Sequence, residues 1–277
     1  MRIRLRFTKL GRVRFTSQRD VARMWERALR RATLPLAYTE GFSPRPQLSF
    51  GLALPTGCES LAEYLDVVLD DGRPETAVVE VAVLPSLLTG LLPAGIEVEE
   101  AALVERRTGS LQQQVTSCSW TMGFTGVSRG QLEGQVAALL AAPTVPIVRE
   151  RKGREEHDDL RPSVLALSVS DEPVVADLGA EAEVGPSIGV VAELATQPRG
   201  VRPIELVRGL IAVSGHGADG ALPADAGTTG RAGIPVLARA CRTQQWIERD
   251  GIREEPLGRR GDPADADRAM HALERAS

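Results

Sequence analysis

Arg2-Ile3-Arg4-Leu5-Arg6-Phe7 is the stretch that decides the fold class. Charged and apolar side chains alternate with the period-two pattern of a half-buried strand. Lys9-Leu10-Gly11 reads as a turn, and Arg12-Val13-Arg14-Phe15 repeats the alternation. Ser17 is placed to cap a helix, with Asp20 three residues on as an acidic first-turn partner. The helix, about 18–32, puts Val21, Trp25, Leu29 and Ala32 on one face. Pro35 ends it, and Leu36-Ala37-Tyr38 reads as a short strand. Residues 40–59, rich in Gly and Pro around an apolar stretch from Leu48 to Leu54, form a long ordered loop with room for one short strand.

A strand at 61–69 follows, then a helix from Pro74 to about Leu92 and a strand from Ile96 to Val104. The order strand, helix, strand, strand, helix, strand is the ferredoxin-like pattern. It assigns a basic first domain to residues 1–105. Polar, Gln-rich residues 106–118 read as a linker. The second half repeats the theme over 119–253: a strand at 119–125 and a helix from Ser128 to Ala142, with Leu132, Val136, Leu139 and Leu140 inward. Strands at 145–150, 163–170, 173–178 and 187–195 come next, then a helix at 203–213 that starts on Pro203. A Gly/Ala/Asp-rich run, 214–233, reads as a flexible loop, Val236-Leu237-Ala238 opens a last strand, and 254–277 is a charged, disordered tail. The expected fold is α+β, two tandem ferredoxin-like sandwiches.

Charge is distributed very unevenly. Residues 1–50 hold twelve basic side chains, eleven of them Arg, against Asp20, Glu26 and Glu40. That segment is +9 in a chain of net charge −4, so the remainder carries −13. Such a separation marks where a polyanion docks. Lys9 and Lys152 are the lone lysines; a GC-rich genome accounts for a preference for Arg, but not for its crowding into one segment. No apolar run reaches the ~20 residues of a membrane helix, and the N-terminus lacks the apolar core of a signal peptide. Cys58, Cys118 and Cys241 lie far apart and form no metal-binding spacing, which fits a reducing compartment. A cytoplasmic protein without a membrane partner is expected.

Arg19, Arg23, Arg27 and Arg30 recur at i, i+4, i+8 and i+11 along the predicted helix, with Arg31 beside them. Like charges at this spacing repel by a few tenths of a kcal/mol per pair, a repulsion that a bound anion relieves; a solvated outer face is the plainer alternative. Arg2, Arg4, Arg6 and Lys9 add to the basic region. Guanidinium forks grip phosphates and stack on bases, which favours RNA, although the aromatic platform of an RNA-recognition sheet is missing. The loop Gly41-Phe42-Ser43-Pro44-Arg45-Pro46 is stiffened by its two prolines, and Ser43 and Arg45 are candidates to hold a phosphate or a carboxylate. A pocket under 41–60, using Ser43, Arg45, Glu59 and Glu63 with Ser60 nearby, is the enzymatic alternative. His157, in Glu155-Glu156-His157-Asp158-Asp159, sits in a solvated acidic hairpin; His216 and His271 lie in Gly/Ala-rich or terminal sequence. Gly-rich phosphate loops and nucleophile elbows are absent. No metal site, cofactor or catalytic residue is expected.

Phe7-x-Lys9-x-Gly11, Phe15-Thr16-Ser17-Gln18-Arg19-Asp20, Arg27-Ala28-Leu29-Arg30-Arg31-Ala32, the 41–46 loop, Gly57-x-Glu59-Ser60 and Glu63 together resemble the radical-SAM-linked protein family, a bacterial domain of unknown function. The resemblance is strong over the first ~105 residues. It continues weakly through Asp159-Leu160-Arg161-Pro162 and Val201-Arg202-Pro203-x-Glu205-Leu206. It implies an accessory or substrate-handling protein encoded beside a radical SAM enzyme, in some bacteria near a ribonuclease of the E/G type and ribosomal-protein genes. Gln18 and Arg45 stand where that family usually has His, which puts any imidazole-based role in doubt. Without a CxxxCxxC this chain cannot hold a conventional radical SAM cluster. The resulting expectation is a non-catalytic accessory protein that binds tRNA or rRNA and partners a separately encoded radical SAM enzyme. A purely protein-interaction domain is the third reading.

Overall fold

The computed structural model describes residues 1–105, 109–151, 153–171, 187–215 and 233–257. They divide into two compact units, Met1–Val115 with the segment from Gln245 onward, and Thr116–Gln244. Both are α+β. The sequence reading bounds a second domain at 119 and 253; from Gln245 the chain belongs to the first unit. The predicted strand at 173–178, most of the 214–233 loop, His216, His271 and the tail beyond 257 lie outside the described residues.

In the first unit, β1 (Arg2–Lys9) leads through a 3-10 turn (Gly11–Phe15) into α1 (Gln18–Arg31), followed by β2 (Leu48–Phe50) and β3 (Glu59–Val68). Short helical pieces, Pro74–Val78 and Val81–Val83, precede α2 (Leu84–Thr89), β4 (Val98–Leu103) and α3 (Leu111–Gln114). β1 lies between β4 and β3, with β2 on β3, and all three pairings are antiparallel. Leu5 faces Leu65 on one side and Ala101 on the other.

The alternation in β1 does what its period dictates on one face. Ile3, Leu5 and Phe7 enter the core with Val21, Trp25 and Leu29 of α1 and Leu84 and Leu88 of α2. The Phe7 and Trp25 rings meet edge to face, 4.9 Å apart at 64°, the geometry their quadrupoles favour. Ser17 caps α1, accepting from the Asp20 amide at 3.2 Å. The opposite face of β1 departs from a half-buried strand, because Arg4 is only 3% exposed. The Arg4 guanidinium donates to Asp66, its register partner on β3, at 2.7 and 3.0 Å, and to the Pro256 carbonyl at 2.8 Å. Gln245 donates to the Ala62 carbonyl at 2.6 Å, and Glu255 reaches Arg6 at 3.0 Å. Glu255 and Pro256 thus lie against the Arg4/Arg6 face of this sheet.

Three expected elements take other forms. Arg12–Phe15 is part of a 3-10 turn, not a strand, with Gly11 at φ +67° starting it. The single helix expected from 74 to 92 is broken because Pro85 lacks an N–H and must sit in a first turn, so a helix restarts at Leu84. The expected linker at 106–118 is partly core, since Leu111 and Val115 are fully buried and β5 already begins at Ser117.

The second unit runs β5 (Ser117–Thr125), α4 (Arg129–Ala141), the hairpin β6 (Pro146–Arg151) and β7 (Arg154–Asp159), β8 (Val164–Ser170), β9 (Ile188–Ala195), α5 (Pro203–Val213) and the start of β10 (Val236–Arg249). β10 ends in the first unit, where β11 (Ile252–Glu254) pairs with it. β9 pairs antiparallel with both β5 and β8, and β10 neighbours β5. Ser128 and Gln131 form a reciprocal capping box at α4. Gly209 lets α5 press against Leu160: a Cβ there would stand 2.4 Å from a Leu160 methyl.

Candidate nucleic-acid interface

One groove, of about 340 Å³, runs along α1 and is closed on its other side by the loop that follows. Arg19, Ala22, Arg23, Glu26 and Arg30 line it from the helix, and Ser43, Pro44 and Arg45 from the loop. Arg19, Arg23, Glu26 and Arg30 stand at i, i+4, i+7 and i+11, a narrow stripe about 16 Å long at 1.5 Å per residue. It lies on the side of α1 away from Trp25 and Leu29, both fully buried. Four guanidinium groups against one carboxylate make the groove strongly cationic.

The loop owes its position to a stitched base. Leu36 and Tyr38 form isolated bridges with Leu69 and Pro46 in place of the expected strand 36–38. The Thr39 amide donates to the Arg45 carbonyl at 2.9 Å, and the Arg45 amide to the Thr39 hydroxyl at 3.1 Å. Gln47 donates its amide to Ala37 O at 2.8 Å and its side chain to Tyr38 O at 3.0 Å. Gly41 takes φ +122°, which a side chain would strain, and Pro46 is buried at the root. The tip, 39–45, is therefore a closed, braced projection that offers Ser43 and Arg45 to the helix stripe.

The basic residues expected to act together separate into three sets. Arg19, Arg23, Arg30 and Arg45 share the groove. Arg27 and Arg31 are exposed on α1 but turned about 80° and 120° from Arg19, so neither lines it. Arg2, Arg4, Arg6 and Lys9 are committed elsewhere. Arg2 and Arg4 both engage Asp66, Arg6 bridges Glu99 and Glu255, and buried Lys9 donates to the Thr16 carbonyl at 3.0 Å. These four expected phosphate ligands are reassigned to the interior of their own unit.

Within the groove, Arg23 lies 3.5 Å from Asp20 and Arg30 3.6 Å from Glu26, loose and exposed pairs. Arg19 and Arg45 have no acidic partner among the described residues, nor has Arg31 outside it. Gly41 and Phe42 sit at the loop tip, and the Phe42 side chain is wholly exposed, at 109%. Ala22 and Glu26 were missed as groove residues; their i+3 and i+7 offsets from Arg19 were the available signal.

Glu59, Ser60 and Glu63 are buried in β3 and do not line the groove. Glu59 accepts the Gly11 amide at 2.8 Å and stands 3.6 Å from Arg14. The Ser60 hydroxyl accepts the Ala62 amide at 3.1 Å. Ser43 and Arg45 are thus not brought together with Glu59 and Glu63. His157 does lie in a hairpin, β6–β7, as expected. No group of three or more His, Cys, Asp or Glu side chains among the described residues could hold a metal ion, and the three cysteines are buried and unbridged. Nor is any helix among them long and apolar enough to cross a membrane.

A family of bacterial proteins described as "Uncharacterized protein conserved in bacteria (DUF2344)" matches residues 2–193. The chain belongs to this family. Its matched region contains the whole of α1 and the 39–45 loop. No curated protein matches the chain.

Proposed function

We propose that the protein is a non-catalytic RNA-binding accessory protein that uses the groove between α1 and the 39–45 loop to grip phosphates. The observation that carries this reading is the convergence of Arg19, Arg23, Arg30 and Arg45 on one groove with a single carboxylate, Glu26, among them. Asp20 and Glu26 offset part of the charge of Arg23 and Arg30, but Arg19 and Arg23, at i and i+4, repel. Polyanion phosphates spaced along a strand relieve that repulsion and accept bidentate hydrogen bonds from guanidinium forks. The enzymatic alternative needs Glu59 and Glu63 beside Ser43 and Arg45, and they lie outside the groove.

The resemblance to radical-SAM-linked proteins supports a radical SAM enzyme as partner, with this chain presenting the RNA and the enzyme supplying the chemistry. Buried, unbridged cysteines fit a cytoplasmic setting. Each unit is read as a ferredoxin-like βαββαβ sandwich. The first has strand neighbours β4-β1-β3-β2, the second β10-β5-β9-β8 with the β6–β7 hairpin inserted.

Binding of the full chain to unstructured RNA, titrated over a range of salt, tests the reading. The log–log slope of affinity against salt is expected near −2 to −3, at ~0.7 per phosphate for the three or four forks of the groove. A slope near zero, or no binding at low salt, ends it.

A further inference from the structure

Resting on the RNA reading above, we propose that the groove takes an unpaired strand and that Phe42 stacks on one of its bases. Of the two exposed phenylalanines, Phe15 is already covered by the Arg14 guanidinium, 4.6 Å above its ring. Phe42 has no such cover: it is fully exposed and makes no ring contact among the described residues. It directly precedes Ser43, Pro44 and Arg45, which line the groove. The hydrogen bonds at Thr39, Arg45 and Gln47 brace the base of the loop that carries it, so the exposed ring stands on the same short loop as the phosphate ligands Ser43 and Arg45.

A base offers its face to an aromatic ring only when it is out of a duplex stack. The usual stacking surface of a small RNA-binding sheet is closed here, because Glu255 and Pro256 cover the Arg4/Arg6 face of β1. Stacking must then come from the loop. The division of labour follows: the guanidinium groups hold the backbone without regard to sequence, and Phe42 selects single strands over double strands.

The test uses the full chain, a roughly 12-nucleotide unstructured oligoribonucleotide, and the same strand annealed to its complement. Phe42→Ala should weaken single-strand binding roughly 5- to 150-fold, the range of one base–aromatic stack. It should leave duplex affinity and the salt slope unchanged, since no phosphate contact is lost. Phe42→Trp should restore single-strand affinity, and its indole emission should change on binding. The proposal is overturned if Phe42→Ala binds like the parent, if it loses single strand and duplex equally, or if Phe42→Trp behaves as the alanine variant does. Phe42-dependent capture on phosphatidylserine vesicles, with no preference for single strands, also overturns it in favour of a membrane surface. A parent protein that binds no RNA even at low salt removes the RNA reading together with this one. A parent that binds with the expected salt slope but is indifferent to Phe42 removes this one alone.

Discussion

Two sets of arginines, a dozen residues apart in the sequence, meet opposite fates. On β1, Arg2, Arg4 and Arg6 alternate with core residues and face Asp66, Glu99 and Glu255. On α1, Arg19 and Arg23 face a groove whose one carboxylate, Glu26, lies nearest Arg30. Local sequence does not separate the two sets, for each reads as basic residues at the period of its element. What separates them is what the rest of the chain brings opposite. Antiparallel register places Asp66 across from Arg4, and a segment some 250 residues later supplies a carbonyl and a carboxylate. The helix receives instead a loop with another arginine. A net charge of +9 over fifty residues therefore overstates the cationic surface, and the groove concentrates what is left of it.

Arg4 shows the interior role of the β1 set most clearly. Arg4→Ala leaves Asp66, 1% exposed, with only the less buried Arg2 for company, and it frees the Pro256 carbonyl. Removing one partner of a buried pair typically costs ~3–5 kcal/mol, so urea unfolding should show a loss of about 3 kcal/mol with RNA affinity of the folded fraction unchanged. A variant of normal stability with weakened RNA binding would show that the β1 face binds ligand as the α1 face does.

The helix set should respond in the reverse sense. Arg19→Gln, Arg23→Gln and Arg45→Gln combined keep helix propensity on α1 and touch no core residue. Stability should stay within a few tenths of a kcal/mol, while RNA affinity falls tenfold or more at moderate salt and the salt slope shrinks by about 2. Arg27→Gln, off the groove, should cost much less than Arg23→Gln. Equal losses from the two would mean that general charge, not the groove, holds the RNA.

How far the sequence carried these conclusions depends on the range of the contacts involved. β1, α1 with its Ser17 cap, α4 and α5 were legible because period and caps are local; so was an arginine stripe on α1, read at i, i+4, i+8 and i+11. The break at Leu84 was also local, written in Pro85, but the apolar pattern on either side of it masked the stop. Other features had no local signal. Leu111 looked like part of a polar linker because its core partners are distant in sequence, and nothing near residue 256 announces a carbonyl for Arg4. Glu59 resembled a pocket carboxylate because its true acceptor role, toward the Gly11 amide, requires a 48-residue loop to close. The groove itself needed both the helix and the stitched loop: helical period already sets Arg27 about 80° from Arg19 and Arg30 about 20°, but only the loop's position shows which side of α1 is closed over.

The smallest expected effect lies in the second unit, where charge is again used internally. The Arg199 guanidinium donates to Asp158 at 2.5 Å and to Glu205 at 3.0 Å, and Glu205 in turn accepts the Arg202 amide at the start of α5 at 2.8 Å. That hydrogen bond and charge hold the Asp158 carboxyl below its usual range. A carboxyl whose folded pKa is depressed adds stability that is full above its unfolded value, ~3.9, and is lost as pH falls through the lower folded value. Because the pair is a third exposed on the Asp158 side, its worth is that of a surface ion pair, ~0.2–1 kcal/mol. Asp158→Asn should therefore unfold slightly earlier than the parent at pH 7, and the gap should close as pH drops below about 4. Urea is the denaturant to use, since guanidinium chloride would screen the pair. A gap that persists undiminished in acid would mean that the amide disturbs the hairpin's packing, and that Asp158 matters there for its shape and not for its charge.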